Sequence, residues 1–169
     1  PYPVTGDMVK YQYNENGDSI ILETLERRTF IQRFDAWTAS NAQAIAANID
    51  EIFILTSANH DFNIKRLHRY LAACKQGGAN CTIVITKADL TENAMDLQRQ
   101  IEEDMPDMEV IVISATTGLN IDKIQEKIKK GTVSVFLGSS GVGKSTLVNC
   151  LAGRKVMDVN GIREDDSKG

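Results

Sequence analysis

Residues 138–146, GSSGVGKST, place a lysine and two hydroxyl side chains directly after a glycine-rich turn. Gly138, Gly143, Lys144 and Ser145 match the spacing G-x-x-x-x-G-K-S/T. The glycines let consecutive backbone N–H groups curl around a phosphate chain, and a helix that begins here adds its positive end. The lysine amine would reach the β and γ phosphates, and the serine hydroxyl would coordinate Mg²⁺. The spacing predicts a nucleotide-binding phosphate loop, and an incidental glycine turn is the alternative.

The stretch TKAD, Thr86 to Asp89, follows an apolar run and could read the base. A carboxylate here can accept two hydrogen bonds from guanine, one from N1–H and one from the exocyclic amine. Adenine lacks this pair of donors, so a site built for them discriminates strongly against it. The Lys87 stem can lie flat along the base. Four residues alone would equally fit an aspartate that caps the following helix.

A third polar stretch, SATTG from Ser114 to Gly118, follows another apolar run. A tight turn there can present a backbone N–H to guanine O6. The composition is ordinary for a loop, so this stretch supports a guanine site only in combination with the other two stretches. Because ligands of parallel sheets bind at the carboxyl ends of the strands, one guanine nucleotide could touch all three stretches.

The elements that would position these stretches alternate between apolar strands and amphipathic helices. This alternation predicts βαβ units and a parallel sheet, with chemistry in the loops after Thr56, Ile85, Ile113 and Leu137. The predicted strands are 49–56, 81–89, 108–115 and 132–138, and the predicted helices are 63–78, 92–104, 120–131 and one from the phosphate loop to about Leu151. The helix 63–78 is predicted to be capped by Asn63, to stop at Gly77–Gly78 and to face inward with Ile64, Leu67 and Leu71. The helix 120–131 is predicted to be capped by Asn120, to stop at Gly131 and to face inward with Ile121, Ile124 and Ile128.

The first 34 residues have a different pattern. Residues from Met8 to Tyr13 alternate, the cluster NENGDS predicts a turn, and β-branched and aromatic residues resume in 20–34. Strand, turn and strand make a small antiparallel β unit. The unit is too short to be stable by itself, so it could be the tail of a β-barrel.

The order of the three motifs resembles a particular group of proteins. N/T-K-x-D and S-A-x are the base-recognition motifs of the Ras-like GTPase superfamily, in which the phosphate loop normally comes first. Here TKAD and SATTG precede GSSGVGKST, which resembles the circularly permuted GTPases. The stretches VTGDMV and LERRTFIQR resemble the end of the OB-fold domain of the RsgA/YjeQ family, and 48–71 resembles the first strand and helix of its GTPase domain.

The resemblance implies a fold and a division of the chain. The fold is α/β: a circularly permuted Ras-like P-loop GTPase domain with a mostly parallel sheet, preceded by partial OB-fold strands. Residues 1–36 would be the partial, RNA-binding OB-fold and residues 37–169 the GTPase domain. A switch threonine for Mg²⁺ and a D-x-x-G stretch must then follow Ser145. DVNG, 158–161, fits by letters, but no apolar strand precedes it and it comes too soon after the helix. The chain is therefore expected to lack these switches and the family's C-terminal zinc domain.

The resemblance also implies an activity. It is hydrolysis of GTP to GDP and phosphate, with Mg²⁺, during late assembly of the 30S ribosomal subunit, which stimulates the reaction. The implied partners are that subunit and its 16S rRNA, zinc is expected only beyond these residues, and the protein would be a cytoplasmic monomer without membrane contact. Lys144 and Ser145 would be catalytic and Ser145 the metal ligand. The nucleotide-binding residues would be Thr86, Lys87, Asp89, Ser114, Ala115, Gly138, Ser139, Ser140, Gly141, Val142, Gly143, Lys144, Ser145 and Thr146.

Composition sets outer bounds. The 169 residues are 42% hydrophobic and 25% charged, which suits one domain, or one domain with part of another. A net charge of −4 argues against a broad electrostatic nucleic-acid surface. Cys74, Cys81 and Cys150 form no C-x-x-C pair, so we expect reduced thiols and neither a disulfide framework nor a zinc site. The sequence has no run of 18 or more apolar residues, so we expect no membrane-spanning helix.

Several features have ordinary interpretations. His60 and His68 are expected on the surface or a helix flank, and Trp37 is expected to pack between the two domains rather than stack on RNA. A local basic patch and a solvated charged surface remain equal alternatives for Arg27, Arg28, Arg33, Lys65, Arg66 and Arg69.

Three other functions stay open on the sequence alone. A P-loop ATPase or kinase would prefer ATP, and the substitution Asp89→Asn would leave its nucleotide affinity unchanged. A nucleotide-gated RNA-binding module would bind nucleotide with little turnover. A permuted GTPase of large-subunit assembly is a further alternative, ranked lower because of the OB-like N-terminus.

Overall fold

A computed structural model describes residues 2–34, 42–59 and 62–159. The N-terminal part contains two separate antiparallel pairs. The hairpin β1 (Val9–Gln12) and β2 (Ile20–Thr24) is joined by the predicted turn, in which Asn14 Oδ1 accepts a hydrogen bond from Asn16 N. The second pair is β3 (Phe30–Phe34) with β4 (Ala42–Ala47).

No sequence pattern separated β2 from β3, and none predicted β4. The break is made by contacts with a distant residue, Asn48, which adopts a left-handed φ of 53°. Asn48 Oδ1 accepts from Arg28 N at 2.9 Å, and Asn48 N donates to Thr29 O at 2.8 Å. These bonds direct residues 30–34 toward β4 rather than onward from β2. The predicted boundary at 36/37 lies outside the described residues, so it stays a prediction.

The predicted parallel sheet is confirmed. Its strands are β5 (Glu51–Ser57), β6 (Asn80–Thr86), β7 (Glu109–Val112) and β8 (Ser134–Leu137), in the order β7-β6-β5-β8. Every neighbouring pair is parallel, and Ile54 of β5 lies opposite both Ile83 and Leu137. The fold class is therefore α/β with antiparallel strands ahead of the sheet.

In the described residues, four α-helices connect or follow these strands: α1 (Ile64–Gly77), α2 (Ala94–Asp104), α3 (Ile121–Lys127) and α4 (Lys144–Ala152). Asn63 caps α1 as predicted, since its Oδ1 accepts from Arg66 N at 3.0 Å. Gly78, with φ of 76°, ends the same helix. None of the described helices is long and apolar enough to cross a membrane.

The sequence prediction for α3 is partly wrong. Asn120 stands at the N-cap position but has φ of 53° and makes no side-chain cap; its Nδ2 instead donates to Val112 O at 2.7 Å. Asparagine tolerates this left-handed conformation because its short polar side chain can bond locally. The helix ends at Lys127 rather than at Gly131, because Ile128 is already extended.

The core has one layer on each face of the sheet. Alternation along β5 sends Ile52 and Ile54 toward α1 and α2, and Phe53 toward α3 and α4. Ile31 of β3 is fully buried in the first layer with Leu67 of α1. The β3–β4 pair therefore packs on the α1 side of the parallel sheet rather than standing apart from it.

Candidate functional site

The phosphate-loop sequence follows β8 and turns directly into α4. Position 138 requires glycine because neighbouring atoms lie too close for a side chain: a Cβ atom there would lie 2.8 Å from Leu55 O and 2.9 Å from Val142 Cγ1. Gly141 and Gly143 have φ values of 71° and 106°, which side chains rarely adopt. Val142 is buried between them. The strand-loop-helix arrangement predicted from the spacing is confirmed.

The start of α4 carries the groups expected to meet phosphate. Lys144 Nζ donates to Gly138 O at 2.9 Å and to Ser139 O at 2.6 Å, so the amine is folded back over the loop. Ser145 and Thr146 follow in the first turn and are half-buried. Gly143, which has no side chain, stands at the N-cap position of α4, so the positive end of this helix lies at the phosphate loop.

Thr86, at the end of β6, connects the base-side stretch to the phosphate loop. Its Oγ1 lies 2.6 Å from Val142 O and 3.2 Å from Thr56 O. A hydroxyl has one proton, so the shorter contact is the better hydrogen bond. Lys87, with φ of 60°, adds a second connection, because its Nζ donates to Gly141 O at 2.7 Å. The end of β6 thus holds the loop backbone at two carbonyls.

Asp89 lies in a 3₁₀ turn, Ala88–Leu90, and its carboxylate is exposed. Helix α2 begins at Ala94 with Asn93 in the N-cap position, so the helix-cap alternative for Asp89 is wrong. Its Oδ1 accepts a hydrogen bond from Ser114 Oγ at 2.6 Å. The carboxylate therefore belongs to the strand-end site and has a fixed orientation.

The stretch 114–118 forms the predicted tight turn. Gly118 N donates to Ser114 O at 2.9 Å, and Thr117 N donates to Ser114 Oγ at 3.1 Å. Ser114 is fully buried, whereas Ala115 is half-buried. Asn120, which the sequence analysis assigned only to a helix, holds this turn through its bond to Val112 O. A left-handed asparagine after Gly-Leu carries no local signal that would have revealed this role.

All three predicted stretches therefore meet at one edge of the sheet. Thr86 and Lys87 contact the phosphate loop, and Asp89 contacts the third stretch through Ser114. Ser140 is exposed at the tip of the loop. The arrangement can hold a ligand with phosphates at one end and a paired-donor base at the other.

The other candidate residues lie away from this edge. Arg27 makes a bidentate pair with Asp7, at 2.8 Å for both contacts, and lies 4.2 Å above the Phe30 ring. That guanidinium lowers the pKa of the Asp7 carboxyl below its ordinary 3.8. Arg28 contacts Asp50 at 3.3 Å. Two of the six residues considered for a basic patch are thus already paired with carboxylates.

His68, Asp158 and the three cysteines lie outside the three motif stretches. His68 is exposed on α1 as expected, with Nε2 2.5 Å from Asp104 Oδ2. Asp158 pairs with Lys155 at 2.8 Å. The three cysteines are free, and the described residues contain no group of three potential metal ligands. Trp37, His60, Gly161 and the Arg33 side chain lie outside the described residues.

Comparison with known proteins identifies close relatives. The sequence profile of the family described as RsgA GTPase matches residues 24–169. The protein named small ribosomal subunit biogenesis GTPase RsgA from Methanosarcina acetivorans is 39% identical over 168 residues, covering 99% of this chain and 46% of the relative. RsgA 2 from Listeria monocytogenes is 40% identical over 167 residues, covering 99% and 46%. The chain therefore spans about half the length of these curated relatives.

Two solved structures share the fold. YjeQ from Thermotoga maritima is 26% identical with a TM-score of 0.68, and the match covers 88% of this chain and 51% of that one. YloQ, described as a circularly permuted GTPase, is 26% identical with a TM-score of 0.62, covering 88% and 50%. The permuted order predicted from the three motifs is the order these neighbours share.

Proposed function

The chain belongs to the RsgA GTPase family, and on that premise we propose that it binds guanine nucleotides and takes part in GTP hydrolysis during assembly of the small ribosomal subunit. The relatives' names, which describe small ribosomal subunit biogenesis GTPases, support the cellular role. Stimulation by the 30S subunit, contact with 16S rRNA, a cytoplasmic location and a monomeric state are parts of the same proposal.

The proposed preference for guanine rests mainly on the hydrogen bond between Ser114 and Asp89. A buried hydroxyl 2.6 Å from Oδ1 holds an exposed carboxylate in one orientation at the carboxyl end of β6. A carboxylate held in this way can accept from the N1–H and exocyclic amine of guanine, and adenine offers no such pair. Lys87, two residues before Asp89, donates to Gly141 O of the phosphate loop, which supports a position for the base between the carboxylate and the loop.

The phosphate end is supported by the geometry of the loop. First-turn amides of α4 and the amine of Lys144 provide donors and positive charge for a polyphosphate. The Ser145 hydroxyl, one residue into the helix, suits Mg²⁺, which prefers oxygen ligands and neutralises charge on phosphate oxygens when bound. Zinc stays a prediction, since no ligand cluster for it exists in the described part of the chain.

The reaction follows from the same groups. Water attacks the γ-phosphoryl group, the bond to the bridging oxygen breaks, and the products are GDP and inorganic phosphate. Lys144 and the loop amides stabilise the charge that develops on the transferred group, because preorganised donors act strongly where charge appears. The carboxylate of Asp89 acts earlier, by holding the base so that the phosphates enter the loop.

Calorimetric titration of this chain with GDP and with ADP, both with Mg²⁺, tests the proposal. GDP should bind and ADP should not, and Asp89→Asn should lose GDP. Asp107→Asn is the matched control, because Asp107 is an exposed aspartate before the amino end of β7, opposite the site. Equal binding of ADP and GDP would refute guanine specificity, and equal loss in both variants would refute the role of Asp89.

A further inference from the structure

The segment that follows α4 is held by a single side chain, Asn149. Gly153, with φ of 63°, ends the helix and reverses the chain. Asn149 Oδ1 then accepts from Val156 N and from Met157 N, both at 2.8 Å. Its Nδ2 donates to Met157 O at 2.9 Å. One amide therefore satisfies both backbone groups of Met157, as a neighbouring β-strand would.

The apolar side chains of this segment are only partly buried. Val156, Met157 and Val159 are 47%, 45% and 56% exposed, so about half of each side chain stays in contact with water. The ion pair of Lys155 with Asp158 is internal to the segment and solvent-exposed, and such pairs stabilise weakly. Within 62–159, Asn149 provides the hydrogen bonds that tie residues 154–159 to α4.

The chemistry of asparagine is specific for this task. The contact needs a donor and an acceptor in one plane at the end of a single methylene group. Aspartate keeps the acceptor but has no donor for Met157 O. Leucine has a similar size and neither group, and glutamine is longer by one methylene. Asn149 thus fits the contact in a way that its nearest substitutes do not.

The contact also sets a direction. Asn149 precedes the last residue of α4, Ala152, by three positions, so the chain has returned about 4.5 Å along the helix axis by Met157. This return is toward Lys144 and Ser145, the end that meets phosphate. The three bonds are the hydrogen bonds of the described structure that bring Val156 and Met157 back beside α4.

We propose that Asn149 is a positioning residue for GTP hydrolysis, acting through the path it imposes on residues 154–159. The inference rests on the proposed function. In the permuted order, groups that complete a phosphoryl-transfer site from beyond the phosphate loop are reached only through this segment. The side-chain hydrogen bonds of Asn149 all go to Val156 and Met157 and none goes to the loop, so its substitution should affect turnover and leave nucleotide binding intact.

The test compares Asn149→Leu and Asn149→Asp with Lys155→Ala, in the protein that carries this chain at its natural length. GDP affinity is measured with a fluorescent GDP analogue, and kcat and KM are measured for GTP. Asn149→Leu should lower kcat about tenfold while the Kd for GDP stays within about twofold. Asn149→Asp, which keeps the acceptor, should fall between Asn149→Leu and the unmodified protein. Lys155→Ala, in the same segment, should match the unmodified protein.

Amide hydrogen exchange supplies a readout that does not depend on turnover. Val156 and Met157 should lose protection in Asn149→Leu and keep it in Lys155→Ala. Unchanged exchange or unchanged kcat in both Asn149 variants would overturn the inference, as would a parallel loss of kcat and GDP affinity. If Asn149→Leu fails to fold in a thermal melt, Asn149→Asp decides. Absence of GDP binding in the unmodified protein would instead refute the proposed function.

Discussion

Ser114 Oγ donates a 2.6 Å hydrogen bond to Oδ1 of Asp89, across 25 positions of sequence. The donor is completely buried, whereas the acceptor is exposed. The bond joins two loops that leave neighbouring parallel strands, β6 and β7, and it fixes the carboxylate at the site edge. The stretch 114–118 thus supports the carboxylate of the stretch 86–89.

Removing this support should weaken guanine binding selectively. Ser114→Ala leaves Asp89 free to rotate, so the affinity for GDP should fall about tenfold, the size expected for one hydrogen bond to a charged group. Calorimetry with GDP and Mg²⁺ measures the change. Ser134→Ala is the control, because that buried hydroxyl on β8 has no hydrogen-bond partner in the described structure. Full GDP affinity in Ser114→Ala would contradict the prediction.

The bond from Thr86 to the phosphate loop predicts a different effect. Thr86→Val conserves shape but leaves Val142 O without its 2.6 Å donor, so the loop should lose its fixed backbone. Affinity for GDP should fall about five- to tenfold, while Thr86→Ser, which keeps the hydroxyl, should retain most of it. A fluorescent GDP titration distinguishes the two variants. Equal affinities for Thr86→Val and Thr86→Ser would show that the hydroxyl is not needed.

The Arg27–Asp7 pair predicts a stability difference that depends on pH. Arg27 lowers the folded-state pKa of Asp7 below 3.8. A lowered carboxyl pKa contributes stability that is present above the unfolded-state pKa and is lost as pH falls through the folded-state pKa. Asp7→Asn should therefore be less stable than the parent at pH 7, and this difference should shrink as pH falls below 3.8.

Urea denaturation at pH 7 and at pH 3 measures that difference. Asp18→Asn is the control, since Asp18 is exposed in the turn between β1 and β2. Its stability should follow that of the parent at both pH values. A difference between Asp7→Asn and the parent that stays constant with pH would exclude the ion pair as its cause.

Two buried threonines on neighbouring strands should respond in opposite ways to loss of the hydroxyl. Thr56 Oγ1 is buried without a hydrogen-bond partner in the described structure, so Thr56→Val should raise the free energy of unfolding by about 1 kcal/mol. Thr82 Oγ1 donates to Glu51 Oε1 at 2.7 Å, so Thr82→Val should lower it by about 1 kcal/mol. Urea denaturation measures both. Destabilisation by Thr56→Val would indicate an unrecognised partner for its hydroxyl.

The sequence predicts the parallel sheet well because its signals are local. Each strand is a short apolar run, and each connection is an amphipathic helix, so both periods are visible within one window. The cap at Asn63 and the stop at Gly78 are equally local, and both are confirmed. The α3 prediction fails in two respects: Asn120 donates to Val112 O on another element instead of capping the helix, and the helix ends at Lys127, before Gly131.

By itself, the sequence determined the strand-helix alternation, the spacing of the phosphate loop and the order of the three motifs, because each of these is a property of adjacent residues. Tertiary structure alone decided the pairing of β3 with β4, the hydrogen bond by which Ser114 holds Asp89, and the clamp made by Asn149. The hydrogen bonds of Asp89 and Thr86 span 25 and 56 positions. No local pattern encodes such distances, since they exist only once the parallel strands bring their carboxyl ends to one edge.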